Sequence, residues 1–505
     1  MSRLLALPLF VLLVGITGCA MFIPAAHAWV LRDLEVGRAF FYSGITVLFL
    51  FGMLAIVTSN RRIRRLDRSL LITLFSTFVA LPLFLAVPFL EAVRDTTYLN
   101  AYFEMVSSLT TTGLTLFDAD RLPPSVHLWR AMAGWAGGFF IWVTAVAILA
   151  PLSLGGFELI STAEVGQGAS GSTIQVAGRS NPSERLLRFS IQLAPVYGTL
   201  TLVVWVMLMV AGDPATVAVI HAMSTLSTSG ITSIDGGIGA ASSGFTGEAI
   251  LLVFLAFALS RMTFSPDERR DGWVSLARDP EIRLGLLLIF ALPAILFVRH
   301  FFTSFEENAG PSLYEGIIGL WGAVFTVASF LTTAGFESRG WGAAQAWSGL
   351  DSPGVLLMGL AMFGGGVATT AGGVKLLRVY ALFKHGQREM ERLVLPSSIG
   401  GAGQVARRFR RQGAFIAWIF FMLFALSIAG VTALFAIAGL TFEEAIITAV
   451  ATLSTVGPLI DVAGNGALDV AAWDAGIKGV AVAAMVLGRL ETLVIIALLN
   501  PEFWR

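Results

Sequence analysis

Ser108-Leu109-Thr110-Thr111-Thr112-Gly113 is the stretch around which the chain is organised, because it recurs three times. Ser-Thr-Leu-Ser-Thr-Ser-Gly ends at Gly230, Ser-Phe-Leu-Thr-Thr-Ala-Gly at Gly335 and Ala-Thr-Leu-Ser-Thr-Val-Gly at Gly457. The glycines lie more than a hundred residues apart, too far for a solenoid repeat; one small unit is written four times. A short Ser/Thr-rich loop closing on glycine suits one task. In extended geometry it presents a ladder of backbone carbonyls, and four copies around an axis form rings that can replace a cation's hydration shell. Glycine admits backbone angles that a Cβ opposes, and small side chains let four backbones approach one axis. A single Ser/Thr-Gly turn carries little information; four, each between a short and a long apolar segment, carry much more.

Composition sets the surroundings of these loops. Of 505 residues, 56% are hydrophobic and 13% charged, against about 25% charged in soluble domains, and mean hydropathy is +0.79. The chain reads as an all-α polytopic membrane protein. Its net charge of zero points to no nucleic-acid partner. One cysteine, Cys19, excludes an internal disulfide framework, and the histidines (His27, His127, His221, His300, His385) show no metal-ligand spacing. They read as interfacial or loop residues. No nucleophile elbow or paired catalytic carboxylates mark an enzyme, and no cofactor is expected in the chain.

Residues 4–26 and 39–58 read as two N-terminal spans. Cys19 closes a stretch like a lipoprotein processing box, and Ala26-His27-Ala28 looks like a signal-peptidase site, so cleavage competes with a first transmembrane helix. Arg61, Arg62, Arg64, Arg65 and Arg68 mark a cytoplasmic loop by the positive-inside rule and can also meet anionic lipid headgroups. This places the N-terminus in the cytoplasm.

The repeat then follows: a span outward, a segment too short to cross, the loop, and a span inward. The first unit has 70–91, 98–109, 110–115 and 131–152, with Trp129 and Arg130 at the outer interface. The second has 188–211, 216–227, 228–232 and 247–263. The third has 284–304, 314–331, 333–337 and 353–383. The fourth has 413–439, 442–453, 455–459 and 473–498. The expected organisation is two N-terminal helices (1–69) and pore repeats at 70–187, 188–283, 284–411 and 412–505, with ten spans and four re-entrant segments. The outer stretches 212–249 and 440–475 contain no Lys or Arg and carry Asp213, Asp235, Asp461, Asp469 and Asp474. Acidic outer mouths concentrate cations; ordinary solvated loop acids give the same pattern. Irregular backbone at membrane depth survives only in protein or against a watery cavity, so the four loops are expected to converge.

Two features break the symmetry. Gly364-Gly365-Gly366-Val367-Ala368-Thr369-Thr370-Ala371-Gly372-Gly373 interrupts the returning span of the third unit; a broken helix at mid-depth marks a gate or binding site, or a tightly packed kink. It is not a Walker A loop, because the spacing to Lys375 is wrong and no Ser or Thr follows it. Arg489 lies in the middle of the last span, where a charge is costly and faces the interior or a watery path. Glu491, two residues on, does not share its helix face; Glu104, in the first pore segment, is expected as a buried acid able to brace a pore helix.

Together these residues resemble the TrkH/TrkG/KtrB family of potassium uptake proteins, most nearly its TrkH type, over nearly the whole chain. The resemblance is carried by Phe-Glu-Met-Val-Ser-Ser-Leu-Thr-Thr-Thr-Gly (103–113), Trp-Arg (129–130), Gly-Trp-Ala-Gly-Gly (134–138) and Arg-Asp-Pro-Glu-Ile-Arg (278–283). It continues through Thr-Thr-Ala-Gly-Phe (332–336), Gly-Gly-Val-Ala-Thr-Thr-Ala-Gly-Gly-Val-Lys-Leu-Leu-Arg (365–378), Gly-Pro (457–458), Leu-Gly-Arg-Leu-Glu (487–491) and the terminal Asn-Pro-Glu-Phe-Trp-Arg. It implies a K+ selectivity filter at Thr111, Thr112, Gly113, Thr228, Ser229, Gly230, Thr333, Ala334, Gly335, Thr455, Val456 and Gly457. It implies a gate built from Gly365, Gly366, Thr369, Thr370, Gly372, Gly373, Lys375 and Arg489. It further implies a bacterial inner-membrane homodimer, K+ and possible Rb+ passage with Na+ less favoured, and a cytosolic TrkA-type nucleotide-binding regulatory ring. The loop departs from the family pattern in carrying Val-Ala-Thr-Thr. Glu337 and Arg339 follow the third filter, and 166–182 is unusually Gly/Ser-rich. Gated, channel-like potassium uptake driven by the membrane potential is the leading reading. An H+- or Na+-coupled symporter is the alternative, although inverted half-repeats with a break in each half would suit it better.

Overall fold

The structure, a computed structural model, describes residues 7–59, 66–150, 182–260, 279–306, 313–348, 353–394, 411–464 and 468–490. Among the described residues there are helices and no strands. Arg61, Arg62, Arg64 and Arg65, the stretch 166–181, Glu491 and the terminal Asn-Pro-Glu-Phe-Trp-Arg lie outside them.

The N-terminal spans are α1 (Leu9–Ala20) with α2 (Phe22–Val30), and α3 (Leu34–Thr58). Asp33 caps α3 by accepting the Val36 N–H, which is why that helix starts earlier than position 39. The first repeat contains α4 (Leu66–Val79), α5 (Leu81–Val93), α6 (Tyr98–Leu109) and α7 (Pro124–Thr144), which runs on as a π-helical turn at Ala145–Leu149. The second contains α8 (Pro182–Val210), α9 (Ala215–Ser227) and α10 (Gly244–Leu255). The third contains α11 (Pro280–Glu306), α12 (Leu313–Leu331), α13 (Trp341–Ser348), α14 (Pro353–Phe363) and α15 (Leu376–Val394). The fourth contains α16 (Arg411–Ile437), α17 (Phe442–Leu453), α18 (Leu459–Ala463) and α19 (Ala475–Leu490).

Among the described residues, eight helices are long and apolar enough to cross a membrane. Phe49, Val210 and Leu426 stand exposed on them, as lipid-facing side chains do. Seven match expected spans. The eighth is α12, expected as a short re-entrant helix; at 19 residues it exceeds α6, α9 and α17 (12, 13 and 12 residues) yet ends at its loop as they do. The returning helices α10 and α14 are shorter than spans, α14 because the glycine-rich segment stops it.

Each short helix packs on the outgoing helix of its own repeat: α6 on α5, α9 on α8, α12 on α11, α17 on α16. Each also packs on the returning helix of the preceding repeat: α9 on α7, α12 on α10, α17 on α14, and α6 on α19. That last contact closes the four units into a ring. The N-terminal helices lie outside it, α3 against α5 and α2 against α7.

Two expectations are corrected. Trp129 and Arg130 are not interfacial. Pro124, whose fixed φ suits a first helical turn, starts α7 early and carries both inside, at 1% and 3% exposure. The Trp129 indole donates to the Leu85 carbonyl, and Arg130 pairs with Glu104 at 2.7 Å. His127 and His221 are not interfacial or loop residues either. Both are buried on helices, His127 with Nε2 2.9 Å from the Ala119 carbonyl and His221 with Nε2 3.1 Å from the Thr232 hydroxyl.

Candidate functional site

Helices α6, α9, α12 and α17 stop at Leu109, Ser227, Leu331 and Leu453, directly before the four loops. Their C-terminal ends carry the negative pole of each helix dipole, which favours a cation. Beyond them the backbone repeats one conformation. Thr111, Thr228, Thr333 and Thr455 have φ of 56°, 51°, 59° and 55°. A β-branched residue in the left-handed region costs about 1–3 kcal/mol, and here it recurs at one register position in every repeat. The next amide turns back onto the helix end: Thr112 N–H to the Ser107 carbonyl, Ser229 to Ser224, Ala334 to Ser329 and Val456 to Ala451, at 2.8–3.0 Å. These bonds satisfy the last helical carbonyls as a Schellman closure does.

The loops meet one another. A Cβ on Gly113 would lie 1.9 Å from the Ser229 carbonyl oxygen, one on Gly230 2.5 Å from that of Ala334, and one on Gly457 2.7 Å from that of Thr112. Gly335 faces Val456 and Pro458. The contacts run 1 to 2, 2 to 3, 3 to 4 and 4 to 1, so the twelve residues from Thr111 to Gly457 are brought together as a ring.

The fourth loop departs from the other three. Gly113, Gly230 and Gly335 have φ of 74°, 67° and 74°, whereas Gly457 is outside the left-handed region. Pro458 follows it, and a proline biases the preceding residue toward extended backbone. The Gly457 N–H instead donates to the Thr112 carbonyl at 2.6 Å. The Pro458 ring reaches over to loops 2 and 3, its Cγ 2.9 Å from a Cβ position on Gly230 and 3.1 Å from one on Gly335.

The glycine-rich segment between α14 and α15 lies against this ring. The Gly372 N–H donates to the Thr333 hydroxyl at 2.8 Å, and the Thr370 hydroxyl lies 3.3 Å from that of Thr228 and donates to the Leu226 carbonyl. A Cβ on Gly372 would sit 2.3 Å from the Thr455 hydroxyl. The segment is anchored on its other side. Gly366 N–H donates to the Ala258 carbonyl, Thr369 to the Gly366 carbonyl, and Lys375 Nζ to the Ala371 carbonyl; the Leu376 N–H donates to that of Gly365. Gly364, Ala368, Gly373 and Lys375 have positive φ, so the break is a built loop. Arg489, 4% exposed, donates from Nη1 to the Thr370 carbonyl at 2.8 Å. A cavity of about 30 Å³, room for roughly one water, lies between the π-turn of α7, Ala371–Gly373 and Arg489.

Supporting residues surround the loops; the sequence reading named Glu104 among them and missed the rest. Glu281 accepts the Val367 N–H at 2.8 Å and so holds the interrupting segment to α11. Glu248 on α10 accepts from Trp321 Nε1, Ser338 Oγ and the Arg339 N–H, each at 2.7 Å, and so fixes the chain after the third loop. Glu104 does the same in the first repeat by accepting the Leu116 N–H. Thr326 occupies the equivalent place in the third and accepts the Ser338 N–H. Glu248 was detectable as a lone acid in an apolar helix.

Beyond the third and fourth loops Glu337 and Asp461 reach solvent while protein surrounds them on most sides. That enclosure raises the Asp461 carboxyl to about 6 and raises Glu337, with the Asp461 charge adding to the latter.

Four helical units closed into a ring, with four strained loops meeting at its centre, define a multi-pass membrane protein built around a central axis. The chain belongs to the TrkH family of cation transport proteins, whose family model matches residues 38–502. It is 31% identical to the Trk system potassium uptake protein TrkH of Salmonella typhimurium over 98% of both chains. It is 29% identical to TrkG of Escherichia coli over 86% of this chain and 83% of that one. The crystal structure of the potassium transporter TrkH from Vibrio parahaemolyticus matches with a TM-score of 0.80 and 26% identity, covering all of both chains.

Proposed function

We propose that the chain is the pore-forming subunit of a Trk-type potassium uptake system, a gated, channel-like path across a bacterial inner membrane with its N-terminus in the cytoplasm. The observation that carries this reading is the cyclic contact of the four loops, each middle carbonyl of loops 1 to 3 set against the glycine of a neighbouring loop. Residues 111–113, 228–230, 333–335 and 455–457 form the selectivity filter. Residues 364–375 and Arg489 form the gate beneath it. The names of the relatives, potassium uptake proteins, support the choice of ion. The membrane potential supplies about 2.3 kcal/mol per charge per 100 mV, enough to drive accumulation. The chain works as a homodimer under a TrkA-type nucleotide-binding ring at the inner face.

Cation flux into liposomes under an imposed potential tests this, with K+, Rb+, Na+ and Li+ compared. K+ and Rb+ flux whose selectivity falls in Gly113→Ser is the expected result. Uptake that requires a proton or sodium gradient would overturn the channel reading in favour of a coupled symporter.

A further inference from the structure

We propose that the gate closes the path by taking ion ligands as well as by filling space. The innermost cation site is a ring of the Thr111, Thr228, Thr333 and Thr455 hydroxyls, and the closed segment 364–375 competes with the ion for it. The proposal rests on the filter reading above.

The four threonines share one register position and one left-handed backbone conformation. A shared backbone and a β-branched side chain with restricted χ1 narrow the directions open to the four hydroxyls; that of Thr228 also bonds its own Ser227 carbonyl at 2.7 Å. All four residues are 0–1% exposed. Such strain at four equivalent positions calls for a reason in the side chain, since glycine would meet the same backbone without cost.

The hydroxyls divide into two pairs. Thr333 Oγ1 is occupied by the Gly372 N–H, and Thr228 Oγ1 lies beside the Thr370 hydroxyl. Both partners belong to the interrupting segment. The hydroxyls of Thr111 and Thr455 have no hydrogen-bond partner among the described residues. Buried hydroxyls without partners are unfavourable, and a hard, partly dehydrated monovalent cation is a fitting occupant for such oxygens. Gly372 packs directly on Thr455, so the segment also walls off an unpartnered hydroxyl. Arg489 holds the Thr370 carbonyl and thereby keeps the segment where it can reach the ring.

Two consequences follow. Ion occupancy of the ring and closure of the segment exclude each other, so a permeant cation favours opening, and by linkage an open segment favours the cation. A simple steric plug has no such dependence.

The test uses Cys19→Ser protein carrying Ala371→Cys, with the rate at which a small thiol reagent labels the introduced group read in KCl and in N-methyl-D-glucamine chloride of equal ionic strength. Labelling is expected to be faster in KCl. Thr370→Val, which leaves all four filter hydroxyls in place, is expected to raise the rate in both salts, by about fivefold for one net hydrogen bond. Thr111→Val is expected to keep the slow rate in N-methyl-D-glucamine and to lose the acceleration by potassium. Equal rates in the two salts, or a Thr111→Val segment as loose as that of Thr370→Val, overturns the proposal. Rubidium flux through the unaltered protein, measured alongside, separates the two layers. Selective flux with salt-independent labelling removes the competition alone, whereas absence of selective flux removes the filter reading beneath it.

Discussion

Arg489 Nη1 donates to the Thr370 carbonyl at 2.8 Å, joining the last described helix to the loop that interrupts the third repeat. The same Thr370 touches the second Ser/Thr-rich loop through its hydroxyl. One guanidinium therefore holds the glycine-rich segment against the ring of loops. Its Nε and Nη2 have no hydrogen-bond partner among the described residues, so the loop carbonyl is the described contact that removal would cost. A charge-assisted hydrogen bond is worth about 1.5–3 kcal/mol, so Arg489→Ala is predicted to raise rubidium flux by about tenfold or more. Arg489→Lys, with a point charge in place of a fork, is predicted to fall between. Liposome flux at fixed potential checks both.

Glu104 and Arg130 are predicted to stabilise the first loop as a pair. Both are buried and 2.7 Å apart, and Glu104 also holds the Leu116 amide. Removing one partner leaves a buried charge, at a cost of about 3–5 kcal/mol. Glu104→Ala is expected to lower the thermal unfolding midpoint in detergent sharply. Glu104→Met with Arg130→Met is expected to recover part of it.

Pro458 is predicted to set selectivity. It biases Gly457 out of the conformation its three counterparts adopt, directs the Gly457 amide onto the Thr112 carbonyl and places its ring beside Gly230 and Gly335. Pro458→Gly frees that carbonyl and relaxes the outer rim. The expected outcome is a lower K+ to Na+ permeability ratio with flux retained, read from reversal potentials. An unchanged ratio would remove Pro458 from the filter.

Uptake is predicted to fall as the external pH drops through about 6. The Asp461 carboxyl is raised to about 6 by its enclosure, so it is charged at pH 7 and attracts cations to the outer mouth, but neutral at pH 5. The stability effect has the opposite sign. A raised folded-state carboxyl pKa means the folded chain binds more protons, so this group's contribution to stability falls as pH rises from about 4 to 6. Asp461→Asn is expected to flatten the flux profile over that range, as a pH series of initial rates would record.

The four loops were legible because each demands residues that are informative in sequence: threonine before a small residue, then glycine. The break at 364–373 and the buried Arg489 were legible because glycine runs and charges are anomalous in an apolar span. The partners were not. Glu104 meets Arg130, Glu281 meets Val367 and Arg489 meets Thr370 across long sequence separations, and periodicity along one helix carries no information about which helix faces it. Pro124 did hold the true start of α7, but the apolar run from 131 outweighed it. The asymmetry of the fourth loop was present in Pro458, whose effect on Gly457 becomes visible only when Thr112 is placed opposite.

The most direct test of the central claim is the anomalous scattering of rubidium in crystals of the protein grown in RbCl. The account predicts density on the axis between the carbonyls of Thr112, Ser229 and Ala334, bounded by Val456, and its loss in Gly230→Ser. Rubidium density elsewhere, with none between these loops, would contradict it.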